Sequence, residues 1–138
     1  MTMTAEIMLF ATLLMLESGG EPWAGKAAVA DTVVTRKRQS GKSLTEVMLA
    51  PRQFSCFNNM KAADKLAASV AEGKHRNDAA WSDCMILATL AARPGYRVKI
   101  KASHFYNPSK ASPSWAAKMI EVATIGNHRF MIEQGRAK

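Results

Sequence analysis

The sequence has few of the residues that mark a metal, redox or export function. Its first 25 residues contain no lysine or arginine, whereas a secretory signal begins with a basic region, and the apolar run 7–16 is too short to span a bilayer. Cys56 and Cys84 lie 28 residues apart without a CxxC motif, and the three histidines are scattered, which favours two buried thiols over a metal site or a disulfide. We therefore predict no metal, no cofactor and no stable membrane insertion.

The bulk properties describe one basic globular domain. With 138 residues, 48% of them hydrophobic, and no repeat or linker, the chain is predicted to form a single domain over 1–138. The net charge of +8 indicates a polyanionic partner, whether nucleic acid, lipid headgroups or bacterial cell wall.

A carboxylate stands at the end of the most apolar stretch. The spacing predicts a helix over 4–18 that is apolar almost all round and so lies in the core. Glu17 ends this helix and is followed at once by Gly19 and Gly20. Apolar walls favour the protonated form of a carboxyl group, as a general acid requires. The alternative is that Glu17 marks the point where the helix reaches water and the glycines only cap it.

The remaining patterns predict an α+β fold with a helical core and a small, late antiparallel sheet. Strict alternation over 96–101 predicts a strand with one buried and one basic face. Gly126-Asn127 predicts the turn of a hairpin. Five more helices are predicted, of which the first starts at Pro22 and ends in the cluster Arg36-Lys37-Arg38. The second starts at the Ser43–Glu46 capping box, and the third covers 60–72. The fourth follows the cap Asp78, and the fifth starts at Ser112-Pro113 and contains Trp115, Met119 and Ile120.

Two loops combine aromatic and amide side chains, as a sugar-binding groove requires. One loop contains Gln53, Phe54 and Ser55, and the other contains Tyr106 and Asn107. Sugars have apolar faces edged with hydroxyl groups, so we predict that these five residues bind a glycan. Core packing is an equal alternative for Phe54, and capping a turn is one for Ser55.

In order along the chain, these motifs resemble the cell-wall hydrolase family typified by spore-cortex-lytic enzymes. The resemblance rests on the apolar helix ending in Glu17 and on four later motifs. These are Gly-Glu-Pro-x-x-Gly-Lys-x-Ala-Val-Ala at 20–30, Pro-x-Gln-Phe-Ser at 51–55, Phe-Tyr-Asn-Pro at 105–108 and Ile-Gly-Asn-His-x-Phe at 125–130. The glutamate and Gln-Phe-Ser motifs are also similar to those of resuscitation-promoting factors and soluble lytic transglycosylases. The resemblance implies a lysozyme-like fold, Glu17 as the catalytic acid, and peptidoglycan as the substrate.

The sequence departs from the spore-enzyme pattern at one position. That pattern usually has an arginine before Gly-Glu-Pro, where this chain has Gly19. A basic catalytic domain without wall-binding repeats is more similar to a phage endolysin than to a spore enzyme. This resemblance implies a monomer that accumulates in the host cytoplasm before lysis. It also implies that nucleic acid is not a partner.

The resemblance implies cleavage of the β-1,4 bond between N-acetylmuramic acid and N-acetylglucosamine, and the reaction type stays open. In a lytic transglycosylase, Glu17 alone acts as acid and then base. In a hydrolytic muramidase a second carboxylate is needed, and the candidate is Glu21, whose alternative role is to stabilise the N-terminus of the next helix. A more distant alternative is a non-catalytic basic module that binds nucleic acid or cell wall through Arg36-Lys37-Arg38 and the 96–101 strand.

Overall fold

Helices fill the first two thirds of the chain and a small sheet ends it. A computed structural model of the protein describes residues 2–50, 54 and 60–135. The described helices are α1 (Met3–Ser18), α2 (Trp23–Ser40), α3 (Leu44–Leu49), α4 (Lys61–Ala71) and α5 (Ala79–Ala91). A 3₁₀ helix covers Ser114–Lys118, and the strands are β1 (His104–Tyr106), β2 (Met119–Ile125) and β3 (His128–Glu133). The predicted α+β class, with a lysozyme-like arrangement, is confirmed.

Helix α1 is the centre of the core, as its apolar composition predicts. It packs against α2, α3, α4 and α5, so nearly every side of the helix meets a neighbour. Phe10, Leu13 and Leu14 are fully buried. The helix begins at the cap Thr2, whose side chain accepts a hydrogen bond from the backbone N–H of Ala5, and it ends one residue after Glu17.

The predicted capping signals mark the starts of α3 and α5. Ser43 and Glu46 form the reciprocal capping box of α3, which satisfies two backbone N–H groups that have no partner within the helix. The Asp78 carboxylate accepts hydrogen bonds from the N–H groups of Ala80 and Trp81 at the start of α5. Pro22 caps α2, one residue outside the first turn in which it was predicted.

The predicted strand over 96–101 is wrong, although its burial pattern is right. Tyr96, Val98 and Ile100 are half-buried and the residues between them are exposed, yet the segment pairs with no strand in the part of the chain that the structure describes. Instead the buried carboxylate of Asp31 on α2 accepts hydrogen bonds from the N–H groups of Lys99 and Ile100, each at 3.0 Å. A side chain thus takes the place of a neighbouring strand.

The sheet has the order β1-β3-β2 and is antiparallel throughout. The β2–β3 hairpin turns at Gly126-Asn127, as predicted. Strand β1 was predicted only as an aromatic loop, and it pairs with β3 in the register Phe105 to Phe130. The predicted helix after Pro113 is shorter than expected, because Met119 and Ile120 belong to β2.

The structure describes one of the two cysteines. Cys84 is a buried free thiol on α5, and burial raises its pKa to about 11. Cys56 lies outside the described residues. Among the helices that the structure describes, none has the length and apolar character needed to cross a membrane.

Candidate active site

A cleft of about 630 Å³ opens where the end of α1 faces the sheet. One side comes from the α1 terminus and the link to α2, and the other from β1, the turn that follows it, the 3₁₀ helix and the β2–β3 turn. Of the predicted site residues, the cleft brings together five, and these are Glu17, Glu21, Phe54, Tyr106 and Asn107. Gln53 and Ser55 lie outside the described residues.

Glu17 stands at the α1 end of this cleft. The buried helix carries it there, and the side chain is half-buried. The next residue, Ser18, turns back to donate a hydrogen bond from Oγ to the carbonyl of Leu14 at 2.6 Å. Gly19 then caps the helix in the right-handed conformation, and Gly20 leaves the backbone open beside the carboxylate. A polymer can therefore approach Glu17 from the glycine side.

Glu21 is the more enclosed of the two carboxylates, with 8% of its surface exposed. Its Oε1 accepts a hydrogen bond from the N–H of Asn127 at 2.9 Å and lies 3.1 Å from Nδ1 of His128. That nitrogen makes no aligned hydrogen bond with any residue of the described ranges, so the two side chains are in close contact without a hydrogen bond. Glu21 thus joins the start of α2 to the β2–β3 turn.

Two glycines make room for the Glu21 side chain. A Cβ at Gly25 would lie 2.9 Å from Cβ of Glu21, and a Cβ at Gly126 would lie 2.3 Å from its Oε2. The first contact explains the Glu-Pro-x-x-Gly spacing, because the turn of α2 passes directly over the side chain. Lys26 completes the enclosure, since its buried ammonium group donates a hydrogen bond to the Glu21 carbonyl.

Strand β1 forms the aromatic wall of the cleft. Tyr106 and His104 point to one face, where both rings contact Trp115, at centroid distances of 5.6 and 4.9 Å. Phe105 points to the other face and packs against Phe54 and Phe130 in the core. Phe54 is only 3% exposed, so it lines the base of the cleft as part of the core.

Polar groups continue this wall beyond Tyr106. The Asn107 side-chain oxygen accepts hydrogen bonds from N–H and Oγ of Ser109, at 2.9 and 2.7 Å, which folds the chain into a turn. The Tyr106 hydroxyl lies 3.4 Å from a guanidinium nitrogen of Arg129. The two hydrogen bonds from Ser109 thus occupy the side-chain oxygen of Asn107.

Three further residues line the cleft that were not among the predicted site residues. These are Lys110, Trp115 and Asn127, which reach the cleft from three separate segments. For Trp115 the signal is its position two residues after Pro113, at the start of a short helix that faces Tyr106. His128 also lines the cleft, and it lies buried beside Glu21. No cluster of metal-ligating side chains occurs within the described residues.

His104 gives the domain an expected sensitivity to acid. Burial, and then the nearby charge of Arg36, lower the pKa of His104, while Glu133 opposes the shift. The unfolded chain, with a histidine pKa of about 6.5, therefore binds this proton more readily than the folded protein. Stability is complete above that value and falls as the pH drops through it toward the folded pKa. We expect the melting temperature to fall below about pH 6.5, as measured by thermal unfolding.

The His104→Gln variant isolates this effect. Glutamine keeps a polar group near Ser103, whose Oγ lies 2.9 Å from Nδ1 of His104, but it does not titrate. The variant should lose less stability over the same pH interval. Superimposable pH profiles for the variant and the parent would assign the acid sensitivity to other groups.

The chain is similar to known cell-wall enzymes over most of its length. The pattern of the family described as Cell Wall Hydrolase matches residues 20–131. The spore cortex-lytic enzyme of Oceanobacillus iheyensis is 27% identical over 130 residues, which cover 91% of this chain. The chain spans only 41% of that relative's length.

Two solved structures have the same fold. One is the catalytic domain of the germination-specific lytic transglycosylase SleB from Bacillus anthracis, with a TM-score of 0.61 and 24% identity, covering 91% of this chain and 93% of that one. The other is the catalytic domain of the Bacillus cereus SleB protein, with a TM-score of 0.62 and 24% identity, covering 93% and 90%. At this level of sequence identity, the similarity to these two structures shows the fold alone.

Proposed function

The chain belongs to the cell wall hydrolase family, and from this premise we propose that it degrades peptidoglycan by cleaving the β-1,4 bond between N-acetylmuramic acid and N-acetylglucosamine. The observation that carries the proposal is the position of Glu17. It stands at the end of the buried helix α1, in a cleft whose opposite wall is aromatic and amide-bearing. A concave site with a few convergent polar groups is typical of ligand binding.

We propose further that the reaction is a lytic transglycosylation in which Glu17 acts twice. Glu17 first donates its proton to the glycosidic oxygen, which leaves as the 4-hydroxyl group of N-acetylglucosamine. The Glu17 carboxylate then takes the proton of the muramic-acid C6 hydroxyl, and that oxygen bonds to C1 of the same sugar. The product is a 1,6-anhydro ring, the proton returns to Glu17, and no water is consumed.

The surroundings of Glu21 support a mechanism with one catalytic carboxylate. A glycosidase that hydrolyses needs its second carboxylate directed at a water molecule or at the sugar. Glu21 has one oxygen held by the Asn127 N–H and the other against Gly126. This carboxylate is occupied in holding the turn, which favours transglycosylation over hydrolysis.

Tyr106 and Trp115 supply the proposed sugar platform. Their rings meet edge to face, with an interplanar angle of 89°, so each supports the orientation of the other. Asn107 adds an amide nitrogen at the rim. An aromatic surface beside polar groups suits a sugar ring, which is apolar on its face and polar at its edge.

The hydrolytic muramidase is the second candidate, because Glu21 lines the same cleft as Glu17. Mass spectrometry of the soluble fragments released from purified peptidoglycan distinguishes the two reactions. We expect fragments ending in anhydromuramic acid, which should be absent with Glu17→Gln and unchanged with Glu72→Gln, a surface glutamate paired with Lys74. Fragments heavier by one water would establish hydrolysis and give Glu21 a catalytic role. Anhydro fragments that persist with Glu17→Gln would remove Glu17 from the mechanism.

A further inference from the structure

The positive charge of this protein is concentrated in two stretches of the chain. Residues 32–45 and 84–120 together contain ten of the 19 basic residues and no acidic residue. The rest of the chain contains nine basic and eleven acidic residues. The net charge of +8 therefore comes from these two stretches.

The fold brings one part of each stretch together, namely the end of α2 and the segment 96–101. A guanidinium nitrogen of Arg38, near the end of α2, donates a hydrogen bond to the Tyr96 carbonyl at 2.5 Å. Asp31, one and a half to two turns earlier on α2, accepts hydrogen bonds from the Tyr96 hydroxyl and from the N–H groups of Lys99 and Ile100. These contacts hold the 96–101 segment along α2. We define the basic face as Arg38, Arg97, Lys99 and Lys101, all of which are exposed.

The buried side of the segment explains why its charges point outward. Tyr96, Val98 and Ile100 are half-buried, so the alternating residues must face the solvent. Within the described part of the chain, Arg38, Arg97 and Lys99 form no ion pair with an acidic residue. Their charges are therefore available to a partner.

The basic face adjoins the cleft. Tyr106 follows Lys101 by five positions, so their Cα atoms lie within about 18 Å of each other. A polymer held in the cleft is therefore near the basic face.

We propose that the basic face binds the carboxylates of the stem peptides of peptidoglycan and so holds the enzyme on its insoluble substrate. This proposal rests on the proposed function, because it assumes that peptidoglycan occupies the cleft. The stem peptides carry free carboxylates at short intervals along the glycan, and several weak surface contacts act together on such a polymer. The role is retention on the wall rather than bond cleavage.

The surface chemistry favours this partner over single-stranded nucleic acid or a lipid bilayer. Single-stranded nucleic acid needs exposed aromatic platforms, whereas the Tyr96 ring is half-buried and its hydroxyl group is bound to Asp31. A membrane-surface segment needs exposed apolar residues beside its charges, whereas Val98 and Ile100 are turned inward. A surface that exposes cations without aromatic or apolar residues beside them suits a hydrated polymer that carries carboxylates.

Co-sedimentation with purified peptidoglycan tests the proposal, with every variant built on Glu17→Gln so that the wall is bound without being cut. We expect Arg97→Glu combined with Lys99→Glu to weaken binding about tenfold at low salt, from two lost attractions and two new repulsions, and less at high salt. The matched control is Lys65→Glu combined with Arg76→Glu, which changes the net charge by the same amount. Lys65 lies on α4, and Arg76 follows that helix. This control should bind much more like the parent.

Walls whose carboxylates have been converted to amides give the second arm. On these walls the difference between the Arg97/Lys99 variant and the control should disappear. Equal loss by both double variants, or a loss that persists on amidated walls, would overturn the proposal. Tighter binding to DNA or to anionic phospholipid vesicles than to walls, lost in the same variant, would identify a different partner. If Arg97→Glu with Lys99→Glu melts below the parent, the Arg97→Gln and Lys99→Gln pair replaces it.

These results are independent of the proposed reaction. The binding assay uses an inactive background, so it reports on the basic face alone. Fragment analysis of the unmodified enzyme reports on the cleavage chemistry. Wall binding without any fragments would refute the proposed function and leave the binding surface in place.

Discussion

Glu17→Gln is expected to lower the rate of peptidoglycan cleavage by about 10²–10⁴-fold, the range typical for loss of a general acid or base. Glutamine has nearly the same shape as glutamate, but its amide group neither donates a proton to the glycosidic oxygen nor accepts one from a hydroxyl group. Glu17 is near the end of a helix whose core contacts come from other residues, including Phe10, Leu13 and Leu14. The fold should therefore remain intact.

The rate should be measured as fragments released from purified walls, because a transglycosylase creates no new reducing end. Glu121→Gln is the matched control, since Glu121 is a half-exposed glutamate on β2 with only a long contact to Arg129, at 3.6 Å. Its rate should stay close to that of the parent. A folded Glu17→Gln protein that keeps most of its cleavage rate would contradict the assignment.

Gly126→Ala is expected to destabilise the protein by about 3 kcal/mol and to lower its activity. Two effects add. Gly126 has a φ of +56°, where a side chain costs about 1–2 kcal/mol. The new methyl group would also lie 2.3 Å from Oε2 of Glu21. The buried carboxylate must then move away from the Asn127 N–H and lose that hydrogen bond, at about 1–3 kcal/mol.

Gly41→Ala separates the two effects. Gly41 caps α2 with a φ of +70°, and no other group lies within 4 Å of the point that an added methyl group would occupy, so this variant should show only the backbone cost. Chemical denaturation of both variants gives the two free energies of unfolding. Equal losses would mean that Glu21 adjusts freely and that the contact with the β2–β3 turn contributes little.

The helices were predictable because their signals are local. The apolar run of α1, the capping box at Ser43 and the cap at Asp78 each act within a few residues, and the structure confirms all three. The hairpin turn at Gly126-Asn127 is local in the same sense. The family assignment, which rested on five short motifs in order, is confirmed as well.

The segment 96–101 shows what a local sequence pattern fails to predict. Alternation reports which side chains are buried, and it was right about Tyr96, Val98 and Ile100. It does not report what the backbone pairs with, and here the partner is the Asp31 carboxylate, more than 60 residues earlier. Strand β1 is the opposite case, a strand that the sequence did not predict. Its three residues are too few to show a period, and only their pairing with β3 makes them a strand.

Residues on both sides of the cleft were predictable from the sequence, but the contact that joins the two sides was not. Glu17 is found from the sequence because a carboxylate ends an apolar helix. The contact of Glu21 with Asn127 joins residues 106 positions apart, and no spacing rule connects them. The roles predicted for Gln53 and Ser55 stay predictions, since both lie outside the described residues.

Strand β1 belongs to the core and to the cleft at once. Phe105 is packed against Phe54 and Phe130, while its neighbour Tyr106 faces Trp115. The orientation of the aromatic wall is therefore set when the domain folds, and not when a ligand arrives. Loss of conformational freedom is a major cost of association. For the proposed glycan ligand, the cost on this side of the cleft falls on the flexible sugar chain alone, so its affinity would depend on how well it matches a surface that is already in place.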